Sequence, residues 1–261
     1  MGIIKHLNIC LVLLALQGCV NKGSEKVIIL HEGSYIVKAR YVNGVRNGKS
    51  EIYDSVGALT GTLTYRNSIL SGPCVHYFRN GVVSDSVNYE CDKEQGYWRH
   101  FFPNGDPRHI NYYYYGLEFG PNLWYDKDTI LRTYQFLDFE RDPIVICSYD
   151  NHGNFDSVKK FDLRVMLEDR EKNGISLVKF FAYLPQIPLT KESYTIGIAD
   201  KNHMKQKLCD IEGSNFMIDT LLSVPQPGYH FYLRCDLKAN EGGYSETHVV
   251  EMIKTEGEKS E

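Results

Sequence analysis

The chain repeats itself every 24 residues. Gly48, Gly72, Gly96 and Gly120 stand at that spacing, and so do Tyr53, Tyr77, Phe101, Tyr125 and Tyr149. A second glycine series, Gly33, Gly57, Gly81, Gly105 and Gly153, keeps the period, with Thr129 in the place between the last two. A further series runs Tyr41, Tyr65, Tyr89, Tyr113, Leu137 and Phe161. A fixed period of this length marks a stack of supersecondary units, none of which can bury its apolar side alone.

Each unit reads as strand, turn, strand. Asn80-Gly81 and Asn104-Gly105 supply the positive φ of a hairpin turn, and their flanks are rich in Val, Thr and Tyr. An isolated hairpin is marginal in water, so the units must dock side by side. The expectation is an all-β chain whose extended, mostly single-layer meander sheet covers residues 32–161. An odd loop is expected to set Tyr53 and Tyr65 on one face, and a three-residue loop with glycine in the left-handed position would do that.

Strand side chains alternate between faces, so the run of four tyrosines, 112–115, makes the middle of the sheet aromatic on both sides. By residue parity Trp98, Tyr112, Tyr114, Trp124 and Tyr134 are expected on one face, where the earlier units place Thr60, Thr62, Thr64, Ser84 and Ser86. This patch is the candidate binding surface, or else the seat of the C-terminal domain.

Units such as GPCVHYFRNG (72–81) followed by Tyr89, and GYWRHFFPNG (96–105) followed by Tyr113, resemble the variant MORN repeats of bacterial proteins, some of which are labelled antitoxin components. The resemblance covers residues 33–139, with a degenerate unit to 161. It implies a β-hairpin repeat fold used in binding and scaffolding.

Beyond Phe161 the period stops. Apolar-rich runs at 162–167, 175–184, 194–199, 205–211, 216–221, 229–237 and 244–253, separated by Gly, Pro and Asn clusters, give seven strands. Seven short strands in such a length suggest an immunoglobulin-like β-sandwich over 162–253. The charged residues 254–261 read as a disordered tail.

At the other end, Lys5 precedes an apolar stretch of signal-peptide length, too short to span a bilayer as a helix. It closes in Leu16-Gln-Gly-Cys19, which resembles the lipobox of bacterial lipoproteins. That resemblance implies cleavage after residue 18, acylation of Cys19, and a membrane partner at the cell envelope, on the outer membrane, periplasmic or surface-facing. Residues 19–31 then form a tether. The mature chain carries 28 Lys and Arg against 33 Asp and Glu, and no basic run, so the electrostatic footprint of a nucleic-acid binder is missing.

Chemistry-bearing motifs are few. Cys209 and Cys235 occupy matching contexts, LCDI and RCDL, and either bridge two strands or stay as separate buried thiols. Cys74 and Cys91 are expected on opposite faces. His100 and His109 fall near each other across one hairpin, as a surface pair rather than a metal site. DNHGNFD (150–156) resembles a calcium loop but lacks the closing acid, and its Gly153 belongs to the turn series. No zinc spacing, nucleophile elbow or phosphate-binding glycine loop occurs, so neither cofactor nor metal is implied. The expected function is non-enzymatic binding or scaffolding at the envelope, with a protein or glycan partner; the alternative is an antitoxin or immunity protein acting by direct contact.

Overall fold

The structure, a computed structural model, describes residues 25–162, 164–172, 175–199, 205–211, 217–223, 230–240 and 244–252. The leader, Cys19 and the residues 254–261 lie outside them. Among the described residues every regular element is a strand.

One antiparallel meander holds β1 (Glu25–Glu32), β2 (Tyr35–Val42), β3 (Val45–Tyr53), β4 (Leu59–Arg66), the two-residue β5 (Ile69–Leu70), β6 (Gly72–Tyr77) and β7 (Val83–Glu90). It continues through β8 (Lys93–Phe101), β9 (Pro107–Tyr114), β10 (Leu117–Tyr125), β11 (Leu131–Leu137), β12 (Pro143–Tyr149) and β13 (Phe155–Phe161). The sheet therefore starts inside the segment expected to be tether: the alternating run from Glu25 pairs along its whole length with β2.

Two kinds of turn join the strands. At 54–58, 78–82, 102–106, 126–130 and 150–154, the fourth residue donates its N–H to the first carbonyl and the first donates to the fifth, the three-residue loop with a bulge that the sequence predicts. The fourth residue is left-handed in all five, at φ +84°, +83°, +94°, +63° and +82°, and Thr129 adopts that conformation where its neighbours in the series have glycine. In three of these loops an aspartate at the first position caps the turn: the Oδ1 atoms of Asp54, Asp126 and Asp150 each accept two backbone N–H bonds. The carboxylate of the calcium-like stretch is thus spent within its own turn.

At the opposite strand ends sit two-residue turns, Asn43-Gly44, Asn67-Ser68, Cys91-Asp92 and Tyr115-Gly116, with positive φ at both residues. This is the type I′ geometry that matches strand twist.

The remaining glycine series marks register shifts. Gly48, Gly96 and Gly120 each have positive φ and lie where the pairing jumps. Each also stands directly across from a member of the tyrosine series: Gly48 pairs with Tyr65, Gly72 with Tyr89, Gly96 with Tyr113, and Gly120 with Leu137. The space a side chain would take is filled by Arg40 at Gly48 and by Thr64 at Gly72.

Beyond the meander, β14 (Val165–Lys172), β15 (Ile175–Tyr183) and β18 (Met217–Ser223) form one sheet. A second, in the order β17 (Lys205–Ile211), β16 (Thr190–Ala199), β19 (His230–Ala239), β20 (Ser245–Met252), completes the seven expected strands. Val165, Ala182 and Leu222 of the first meet Tyr194, Ile196, Leu233 and Cys235 of the second in one buried cluster. Cys235 is a free, buried thiol. Its strand and that of Cys209 flank β16 on opposite sides, roughly 10 Å apart at two strand spacings, so the Cys209–Cys235 bridge is not made. Cys74 is buried while Cys91 occupies an exposed turn, and both are free.

This C-terminal unit docks on one face of β10–β13. Phe119, Tyr134, Phe136, Val145, Cys147 and Tyr149 form a continuous core with Tyr183, Ile187 and Leu237. The Tyr149 hydroxyl donates to the Pro188 carbonyl at 2.9 Å. Phe139 stacks on Phe119 with ring centroids 4.3 Å apart. Arg164 reaches into the turn 138–142, where it bonds the buried carboxylate of Asp138 and approaches Glu140 and Asp142.

Candidate functional site

The five residues of the expected aromatic patch do not share a face. Trp98 stands opposite Asn111, whereas Tyr97 is the cross-strand partner of Tyr112. Leu123 pairs with Tyr134, and Trp124 with Thr133. The bulge that follows every three-residue loop adds one residue to the register, so paired residues have opposite parity and even numbers change face at each strand. Trp98 and Trp124 accordingly lie on a front face with Tyr65, Tyr89 and Tyr113. Tyr112, Tyr114 and Tyr134 lie on the back. The same shift sends Tyr53 to the back, away from Tyr65, against the one-face expectation.

On the back face Tyr134 is fully buried in the joint with the C-terminal unit, and Tyr112 packs against the same core. Tyr114 contacts Phe139 at 6.1 Å. These three serve docking. The front face carries the remaining chemistry.

One transverse row of the front face runs Gly61, His76, Asp85, His100, His109, Trp124, Thr133, Ser148 and Ser157, each the cross-strand partner of the next. Its rings stack. The centroid separations are 5.5 Å for His100–His109 and 4.7 Å for His109–Trp124, with planes within 17° of parallel. Trp98 joins from the neighbouring row, 5.3 Å from His100 and 5.5 Å from Tyr113. Sequence spacing alone contained this row: His76, His100, Trp124 and Ser148 follow the 24-residue period, as do Gly61, Asp85, His109, Thr133 and Ser157. The expected closeness of His100 and His109 holds; their tryptophan neighbours were hidden by the parity error.

Polar partners hold the ladder in place. The His100 Nδ1 atom lies 2.5 Å from Asp85 Oδ1, and His109 Nε2 lies 3.1 Å from Asn122 Oδ1. Burial opposes ionisation of Asp85, but hydrogen bonds from His100 and Ser84 outweigh it and hold the carboxyl below its ordinary range. Burial pushes His109 and His76 below the usual histidine value, favouring neutral rings. Desolvation raises the nearby Cys74 thiol to about 12, which leaves it a protonated core group rather than a nucleophile.

That neighbouring row contains Trp98, Asn111 and Asn122, again successive cross-strand partners. Here Trp98 Nε1, Asn111 Oδ1 and Asn122 Nδ2 are buried without a hydrogen-bond partner. Three adjacent unpaired polar atoms are unusual in a folded chain.

Among the described residues, one grouping brings three metal-ligating side chains together: Asp138, Glu140 and Asp142. The Arg164 guanidinium sits among these carboxylates, so the cluster acts as an ionic latch between turn and C-terminal unit. Comparison with protein-family models and with curated proteins yields no match for this chain.

Proposed function

We propose that the protein is a cell-envelope lipoprotein, anchored through acylated Cys19, that binds or scaffolds without catalysing a reaction. The lipobox resemblance supports the anchor. The MORN-like units, with their glycine and tyrosine series, support a binding role for the sheet. The C-terminal strand order, first-second-fifth in one sheet and fourth-third-sixth-seventh in the other, supports an immunoglobulin-like reading of that unit.

One observation carries the binding role: the C-terminal unit docks on the back of the sheet, and the ring ladder of His100, His109, Trp98 and Trp124 lies on the opposite face. A preorganised row of rings and polar groups on a partly exposed face suits recognition rather than core formation. Crosslinking in intact cells tests the reading. The expected result is a product that depends on Trp98 and Trp124, and a Cys19→Ser form that leaves the membrane fraction. Unchanged products in the doubly substituted Trp98→Ala, Trp124→Ala protein would remove this face from the proposal.

A further inference from the structure

We infer that the open end of the ring ladder is a carbohydrate subsite, with Trp124 as its wall and Thr133, Ser148 and Ser157 as its floor. This rests on the binding role proposed above and names its ligand class, a neutral pyranose oligosaccharide.

Trp124 ends the ladder. His109 stacks against one side of the indole, while the cross-strand neighbour on the other side is the short Thr133, followed by Ser148 and Ser157. Three strand spacings extend this shelf for roughly 14 Å, the reach of two to three sugar rings. The electron-rich indole face attracts the electropositive C–H groups on the apolar side of a pyranose. Its hydroxyls need acceptors at the edge, and the floor has them. Ser148 Oγ lies 2.9 Å from Ser157 Oγ, and both hydroxyls donate to Asp156 Oδ2 at 2.9 Å. The Asp156 side chain is 53% exposed, leaving its carboxylate accessible to a hydroxyl donor. In the adjoining row Asn122, only 1% exposed, keeps its Nδ2 donor unpaired, two residues along the strand from Trp124.

Other ligand classes fit less well. Arg141 pairs with Glu118 and Lys159 with Asp156, so no unbalanced positive charge is offered there to a phosphate backbone. The histidines are tied to Asp85 and Asn122 rather than converging on a cation. A peptide anchor needs a pocket, and the shelf is built of the short side chains Thr133, Ser148 and Ser157.

The test uses the full chain in detergent, titrated with cellohexaose, chitohexaose, maltohexaose and xylohexaose by calorimetry and tryptophan fluorescence. At least one should bind with a shift in emission. Trp124→Ala should weaken it about tenfold or more and Ser148→Ala about threefold, whereas Tyr53→Ala on the back face should leave it unchanged. Trp124→Phe, which keeps a ring, should retain part of the affinity and covers the case in which the alanine variant fails to fold. No binding to any of the four, binding indifferent to both Trp124 variants, or equal loss in Tyr53→Ala would overturn the subsite. If the sugars fail while cells yield a crosslink through the front face, the subsite is wrong and the binding role stands. If both fail, both are wrong.

Discussion

The early and late hairpins of the meander share a period, a turn geometry and glycine–tyrosine pairs, and they differ in what lies behind them. Behind β3, β4 and β7 the back face offers Glu51, Thr60, Thr62, Thr64, Ser84 and Ser86. Tyr53 there lies under Lys38, 4.4 Å from its ring, and its hydroxyl donates to Glu51 at 2.8 Å. Behind β10–β13 the equivalent positions are Tyr134, Phe136, Val145 and Cys147, all fully buried by a second unit. The backbone plan is therefore independent of burial, and the back-face residues decide whether a hairpin remains single-layered. The repeat also degrades where it is docked on. Leu137 replaces tyrosine beside the turn 138–142, whose Phe139 and Asp138 engage Tyr183 and Arg164.

The largest effect should separate these two regions. Phe136→Ala opens a cavity in the joint and should cost about 3–5 kcal/mol in denaturant unfolding, whereas Tyr53→Ala, on half-exposed sheet, should cost about 1 kcal/mol. Equal costs would mean that the late hairpins gain nothing from the C-terminal unit. Arg164→Ala should follow at about 1–3 kcal/mol, because it leaves the Asp138 carboxylate, which is 2% exposed, with backbone N–H donors on Oδ1 but without its cation. Its loss should appear as earlier proteolysis of the C-terminal unit with the first hairpins intact.

Turn substitutions should be smaller and alike in both regions. Gly81→Ala puts a Cβ at φ +83° and should cost about 1 kcal/mol. Thr129→Gly relieves the same strain and should gain about 0.5 kcal/mol in midpoint analysis. The smallest effect is on pH. His76 and His109 have folded pKa values below the unfolded value, so the native sheet takes up fewer protons than the unfolded chain. Stability should fall as pH drops below about 6.5, and it should level off once the folded values are passed. Glu192, raised by burial in the C-terminal unit, acts with the opposite sign near ordinary carboxylate pH. Thermal melts of His109→Asn should show a flatter acid limb than the parent.

Much of this was legible in the residues. From Gly57 onward the glycine series marks the turn positions and their three-residue loops, whereas Gly33 sits in a two-residue turn, and all seven C-terminal strands follow from their apolar runs. The two-residue turns were not legible, because only Asn43-Gly44 has the usual composition; Cys91-Asp92 and Tyr115-Gly116 are forced into left-handed geometry by the flanking pairs. Facing failed for a related reason. A bulge is a property of the pairing, so counting parity along the chain placed Trp98 and Trp124 with Tyr112, Tyr114 and Tyr134. Counting by the period instead would have aligned His76, His100 and Trp124 in one row.

The two sides of the late hairpins differ, with a partly exposed ring ladder in front and a sealed joint behind. Hydroxyl-radical footprinting of the native protein, read residue by residue by mass spectrometry, tests it directly. Oxidation is expected at Trp98, Trp124 and His109 together with protection of Phe119, Tyr134 and Phe136. Comparable labelling of Tyr134 and Trp124, or protection of the ladder and exposure of the joint, would contradict it.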